Sequence, residues 1–255
     1  MFLATYALWK RDVVRFYRQR SRIIGALGTP ILFWVLLGSG LGTSFRIGST
    51  DVSSGGYLEY FYPGALALIL LFTAIFSTIS VIEDRHEGFL QGVLVAPVPR
   101  ATFVLGKILG GSTLAVLQAG FFLLLAPFAN VEISWAALPL LLLVLTTLAV
   151  ALTGLGFILA WILDSTQGFH AIMNLLLFPM WILSGAVFPA SGAAGWIRGV
   201  MKVNPMTYGV AAIRSILGGA ESASDNPSVG GSLILIALFG ITTVAVGVWI
   251  VNRRT

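Results

Sequence analysis

Acid–base, nucleophilic or metal chemistry needs carboxylates, imidazoles, thiols or hydroxyls at particular spacings, and this sequence offers few of them. There are two histidines, His86 and His170, and no cysteine. No thiolate, disulfide or Cys nucleophile is therefore possible. No His-Glu-x-x-His run, no Ser-His-Asp set and no paired carboxylates within an apolar stretch occur. His170, alone at a helix start, reads as a structural residue. A phosphate-binding loop is missing as well. Gly106-Lys107 is followed by Ile108 rather than Ser or Thr, and Ala101 stands where the first glycine is needed. The run Gly38-Ser39-Gly40-Leu41-Gly42 ends an apolar stretch instead of joining a strand to a helix. Gly38 with Gly42, and Gly106 with Gly110, read better as small-residue helix contacts. These residues point away from catalysis by this chain, and any uphill work must draw its energy from another chain.

The elements that carry these residues follow from composition. Of 255 residues 57% are hydrophobic and 10% charged, against about 25% charged in a soluble domain. So little charge excludes a disordered chain and a nucleic-acid binder. With 29 glycines besides, the chain reads as an all-α integral membrane protein. A membrane-crossing helix needs about 20 mainly apolar residues. Six such stretches run Ile23–Leu41, Pro63–Ile82, Val104–Phe128, Ala136–Leu163, Phe169–Phe188 and Ser232–Val251, the fourth long enough to tilt or be cut at Pro139. The first span reads as uncleaved, since no small-residue cleavage site follows it.

Lys and Arg set the orientation. Lys10, Arg11, Arg15, Arg18, Arg20, Arg22, Arg85, Arg100, Lys107, Arg253 and Arg254 fall on one side, and Arg46, Arg198, Lys202 and Arg214 on the other. Acidic residues divide evenly, so the bias is purely cationic, and both termini are expected in the cytoplasm.

Residues 1–22 have a pattern of their own. Phe2, Tyr6, Trp9, Val13 and Phe16 recur at spacings of four and three, and Arg11, Arg15, Arg18 and Arg22 do so on the opposite side of a helix. The spacing predicts an amphipathic helix lying in the cytoplasmic headgroup layer. The cytoplasmic loop 83–100 predicts a second one. Phe89, Leu90, Val93 and Leu94 share an apolar face, Asp84, Glu87 and Gln91 another, and Pro97 and Pro99 end it. Such a stripe suits a partner's groove. Within the fifth span Pro179 should kink the helix, and Asn174 should face another helix or a pathway. Trp161, Trp181, Trp196 and Tyr208 read as interface-belt aromatics.

Three stretches resemble ABC-2 type transporter permeases of the daunorubicin-resistance, nodulation-factor and polysaccharide export group: Glu83-Asp84-Arg85 through Leu94-Val95-Ala96-Pro97-Val98-Pro99-Arg100, Asn174 through Pro189, and Asn204-Pro205-Met206-Thr207-Tyr208-Gly209 followed by Ala212-Ile213-Arg214. They stand in family order and spacing, and the resemblance covers essentially the whole chain. It implies a type V exporter-like fold of six transmembrane helices with an interfacial helix, a cytoplasmic coupling helix and an outer re-entrant segment at 189–215. It implies a multi-pass protein of the bacterial-type inner membrane that exports an amphiphilic, drug-like or lipid-linked substrate by alternating access. Partners would be two ATP-binding subunits, which hold ATP and Mg, and a second permease, a homodimer being favoured over a paralogue. No cofactor is implied in this chain. Glu83, Asp84, Arg85 and Glu87 would set the register on the ATPase, and Phe89, Leu90 and Leu94 would fill its groove. Trp9, Arg11, Arg15 and Arg18 would hold the interfacial helix near it. Residues 218–231, rich in Gly and Ser, look like an outer insertion. The competing reading is an ATP-independent channel or secondary carrier.

Overall fold

The computed structural model describes residues 2–41, 56–218 and 227–253. Gly42, Arg46, Arg254 and residues 219–226 of the Gly/Ser-rich stretch lie outside them, as does the side chain of Leu94. Among the described residues all regular structure is helical, and six helices are long and apolar enough to cross a membrane. These are α2 (Arg20–Leu41), α3 (Gly56–His86), α5 (Arg100–Leu123), α6 (Leu138–Ile162), a broken helix over Thr166–Ala186 and α11 (Val229–Arg253).

The bundle is organised around α3. Its 31 residues reach roughly 46 Å at 1.5 Å per residue, well beyond a hydrocarbon layer of about 30 Å. Its apolar residues run almost unbroken from Phe61 to Leu71, which suits a helix buried on all sides. α2, α5 and α6 pack on it, and α11 packs on α6. Close approach needs a small residue where α3 passes the end of the broken helix. A Cβ added at Gly64 would come within 2.8 Å of the Ala186 carbonyl oxygen. The Gly64 carbonyl in turn accepts a 2.9 Å bond from the Trp181 indole.

Prolines place several boundaries. Pro139 begins α6 rather than cutting it, because the first turn has no use for the missing N–H. α5 ends at Leu123, short of the expected Phe128, and a 3-10 turn carries Pro127 over Ala126–Ala129. The N-terminal helix α1 (Phe2–Arg18) ends before Gln19, so the expected 1–22 segment divides and Arg20 and Arg22 open α2.

The broken helix comprises α7 (Thr166–Ile172), a π turn over Met173–Leu177, α8 (Phe178–Trp181) and a second π turn over Ile182–Ala186. Pro179 lies in the first turn of α8. The wider π turn before it relieves the clash that a proline ring makes with the preceding turn, so one sharp kink becomes two wide turns. α9 (Gly195–Val203) and α10 (Pro205–Ile216) follow, and Asn204 caps α10 through its side-chain oxygen, which accepts from Met206 N at 3.0 Å.

Gly64→Val should lower the melting temperature of the detergent-solubilised chain by several degrees. Gly120→Ala, in open space within α5, should leave it level or raise it by the equivalent of about 0.5–1 kcal/mol. A thermal scan followed by size-exclusion chromatography reads both.

Candidate functional site

At the last turn of α3 the chain leaves for the short helix α4 (Phe89–Val95) through Gly88, whose φ of 77° is natural for glycine. α4 ends because Pro97 forces Ala96 into an extended conformation. Five elements meet at this corner, and Asp84, with no exposed side-chain surface, lies between them. Arg11 of α1 grips both its oxygens in a fork, Nη2 to Oδ1 at 2.7 Å and Nη1 to Oδ2 at 2.9 Å. Arg15 adds a bond to Oδ1 at 2.8 Å. From α5, Lys107 Nζ reaches Oδ2 at 2.5 Å, Asp12 Oδ1 at 2.9 Å and Ser80 Oγ at 3.0 Å.

Around this core Glu83 pairs with Arg22 and Arg15, and Glu87 with Arg15 at 2.5 Å. Arg85 turns the other way. It bonds the carbonyls of Trp161 and Leu163 and pairs with Asp164 at 2.5 Å, while a ring nitrogen of His86 meets the Asp164 carbonyl at 2.9 Å. The end of α3 is thereby tied to α1, α5 and the link between α6 and α7. Arg11 also covers the base of α4, its guanidinium 3.7 Å from the Phe89 ring centre.

Of the side chains expected to meet a partner, several face inward. Leu90 is 5% exposed and packs into the bundle core with Val93 beside it, so the apolar stripe of α4 covers the chain's own end. Phe89 is half-buried under Arg11, and Asp84 is fully enclosed. What α4 leaves outward is Gln91, Gly92 and Val95, with Glu87 exposed just before it. The arginine face of α1 is likewise not turned wholly to headgroups. Arg11 and Arg15 serve the cluster, while Arg18 stays exposed. Trp9 donates to Thr113 of α5 at 3.0 Å and stacks on Tyr6. The Gly106–Gly110 pair does receive a helix, and it is α1: a Cβ at Gly106 would come within 2.7 Å of Leu8.

Asp12 went unnoticed in the sequence, although a signal is there. It falls on the stripe of Leu8 and Phe16, an acid on the apolar side of an amphipathic helix, and Lys107 is the one lysine inside a span. Burial pushes the Asp12 carboxyl above the usual carboxylate range, with the Lys107 ammonium opposing. Arg214 of α10 stands in the third family-like stretch, but its partners could not be read from the sequence. Buried at the opposite end of α3, it bonds the Gly185 carbonyl at 3.0 Å and lies over the Tyr60 ring at 4.3 Å. Asn204 there donates to the carbonyls of Met180 and Leu183, at 2.6 and 3.0 Å. Asn174 and Pro179 of the broken helix both face outward. Trp161 and Trp181 are core residues rather than belt residues, Trp181 only 1% exposed, whereas Trp196 is open.

Six helices long and apolar enough to cross a membrane, one of them a rod buried among the others, define a multi-pass membrane protein. A sequence profile of the ABC-2 type transporter family matches residues 4–217, and the chain belongs to that family. It is 25% identical to the transport permease ycf38 of Cyanophora paradoxa over 92% of this chain and 84% of that protein. To Nodulation protein J of Rhizobium meliloti (strain 1021) it is 27% identical, over 84% of this chain and 81% of that one. To Nodulation protein J of Sinorhizobium fredii it is 25% identical over 97% and 92%. The chain is accordingly a membrane component of a transporter.

Removing one partner of a buried ion cluster leaves the others uncompensated, at a cost of about 3–5 kcal/mol. Lys107→Met should therefore strongly destabilise the chain, and adding Asp12→Asn should restore part of the loss. Thermal denaturation of the two single variants and the double variant gives the coupling directly.

Proposed function

We propose that this chain is the permease subunit of an ATP-driven exporter, which moves an amphiphilic, drug-like or lipid-linked substrate outward across the cytoplasmic membrane by alternating access. Two separate ATP-binding subunits, carrying ATP and Mg, supply the energy, and a second permease copy completes the pathway. Both termini and α4 lie on the cytoplasmic side in this reading, as the Lys/Arg bias requires.

The observation that carries the proposal is α4 itself. A short helix projects from the end of the most buried span, and its base is clamped on three sides while its outer face is left open. Such an element suits the transfer of a push from a docked subunit into the bundle. Gln91, Gly92, Val95 and Glu87 form the docking face. Asp84, Arg11, Arg15 and Lys107 act behind it by holding α4 to α3. Leu90 belongs to that support and does not enter the partner's groove.

The exposed Asn174 supports the second copy. It has no hydrogen-bond partner among the described residues, and a bare side-chain amide facing hydrocarbon costs free energy. Its face of the broken helix, with Leu175 and Pro179, belongs to the contact between copies or to the pathway between them.

A proton-coupled carrier would draw on the buried Asp12–Lys107 pair, but that pair is tied into the α3 corner by Asp84 and Ser80. Transport into inverted vesicles separates the two readings, since an exporter follows ATP and a carrier follows the proton gradient.

A mild-detergent pull-down of the tagged chain, with mass spectrometry of its companions, should recover a soluble subunit with a phosphate-binding loop. Gly92→Trp, which places a ring in open space on the docking face, should leave the thermal melt unchanged and cut recovery of that subunit at least tenfold, about 1.4 kcal/mol of binding. Recovery of this chain alone, with and without nucleotide, would overturn the ATP-driven reading. Undiminished recovery with Gly92→Trp would overturn the docking face.

A further inference from the structure

α1 meets α5 along two lines of contact with a groove beside them. Leu8 and Asp12 press close to α5 at Gly106 and Gly110. On the flank, Phe2, Tyr6 and Trp9 face Leu105 and Leu109 across a groove of about 580 Å³. Its wall is almost wholly apolar, and Thr113 at one end is already engaged, donating to the Leu109 carbonyl and accepting from Trp9. Apart from Thr5 and the hydroxyl of the half-exposed Tyr6, the rest of the lining is carbon and indole, so the groove recognises a mainly apolar occupant.

Charge decides what kind of occupant. The basic side chains of this region divide into two sets. Arg11, Arg15 and Arg22 are neutralised within the chain by Asp84, Glu83 and Glu87. Lys10, Arg18 and Arg20 are exposed and make no ion pair among the described residues. Lys10 stands one turn beyond Tyr6, on the outward face that also carries Leu3, Val14 and Tyr17. An apolar groove with one unneutralised cation, Lys10, beside it is complementary to a molecule with a long apolar tail and an anionic head. Among the described residues a second copy of this chain, whose Glu59 lies in the first turn of α3 at the end away from α1, does not provide that complement. Its exposed Glu87 and Asp164 are already paired, and Glu132 lies past the far end of α5.

We propose that the α1–α5 groove is a binding site for an acyl chain of an anionic phospholipid, with Lys10 on its phosphate. The proposal rests on the reading above only in placing α1 at the anionic cytoplasmic leaflet. The lipid pins α1 against α5 from outside, just as Lys107 and Asp12 pin it from within.

The test uses the full chain in vesicles of phosphatidylglycerol or of phosphatidylcholine, each doped with the same lipid bearing a diazirine in its acyl chain. Labelled peptides are mapped by mass spectrometry after irradiation. Adducts on 2–9 and 105–113 should exceed those on the exposed α11 stripe of Ile234, Leu238 and Ile241 several-fold, and phosphatidylglycerol should give more than phosphatidylcholine. Leu109→Trp, which fills the groove from a half-exposed position, should remove most of them. Lys10→Gln should erase the difference between headgroups while keeping the adducts. Equal labelling of groove and α11 in the unmodified chain would overturn the site. So would displacement of the adducts by the bound ATPase, which would assign the groove to that protein instead. Groove labelling in a chain that captures no ATPase would sink the exporter reading and leave the lipid site standing.

Discussion

The carboxylate of Asp84 has no exposed surface, and the arrangement of one end of the molecule depends on it. An isolated buried carboxylate is costly enough that the fold must surround it with donors or not form at all. Here Arg11, Arg15 and Lys107 supply four contacts on its two oxygens. Those donors come from two different helices, so the requirement fixes where α1 and α5 lie relative to α3. Lys107 then needs a second anion, and Asp12 of α1 provides it. Charges replaced by apolar side chains of the same shape could be as stable. What the ion cluster adds is registry, since no sliding of α1 along α5 keeps all the pairs.

The opposite end of α3 is held by different means. There the broken helix unwinds, and each break frees backbone carbonyls that find no water within a bilayer. Donors from elsewhere in the chain collect them. Asn204 bonds those of Met180 and Leu183, Arg214 that of Gly185, and Tyr57 that of Val187, while Trp181 of the broken helix donates in turn to the Gly64 carbonyl of α3. Arg214 thus acts as a neutral-acceptor clasp in spite of its charge, with the Tyr60 ring beneath it. This end is wired through single bonds to carbonyls, and the other through ion pairs to carboxylates.

Spans, their number and the amphipathic character of α1 were legible in the sequence because hydropathy and helical period act locally, and lipid enforces both. α4 was legible too, with its stop at Pro97. Which way its stripe faces was not. Phe89, Leu90 and Val93 fit a partner's groove and the chain's own core equally well by pattern, and only the position of α3 decides. The same ambiguity hid the fate of Arg11 and Arg15, read as headgroup contacts until Asp84 is seen between them. Trp161 and Trp181 misled for a related reason. An indole in a membrane span suggests the interface, but Trp181 finds the Gly64 carbonyl in the core, and Trp161 is held there by stacking on Phe157 with Arg85 over its ring. Pro179 marked a break correctly, yet its form as two π turns depends on how α10 and α3 receive the freed carbonyls.

The contrast between the two ends bears on how force would travel through the molecule. α3 is a single rod whose side chains from Phe61 to Leu71 are packed on all sides, and close-packed interiors deform little. A displacement applied at α4 therefore cannot be absorbed at the Asp84 corner, where moving any one helix would strand a buried charge. In the proposed mechanism it would pass along α3 to Tyr57, Tyr60 and Gly64, which meet Val187, Gly185 and Ala186. There the linkages are single hydrogen bonds to carbonyls of an already irregular backbone. Each such bond ties the backbone at one carbonyl and lies apart from the Asp84 ion cluster, and π turns recur at functional sites. Rigidity at the charged end and tolerance at the carbonyl end are complementary: the first keeps a push from being dissipated, and the second gives it somewhere to act.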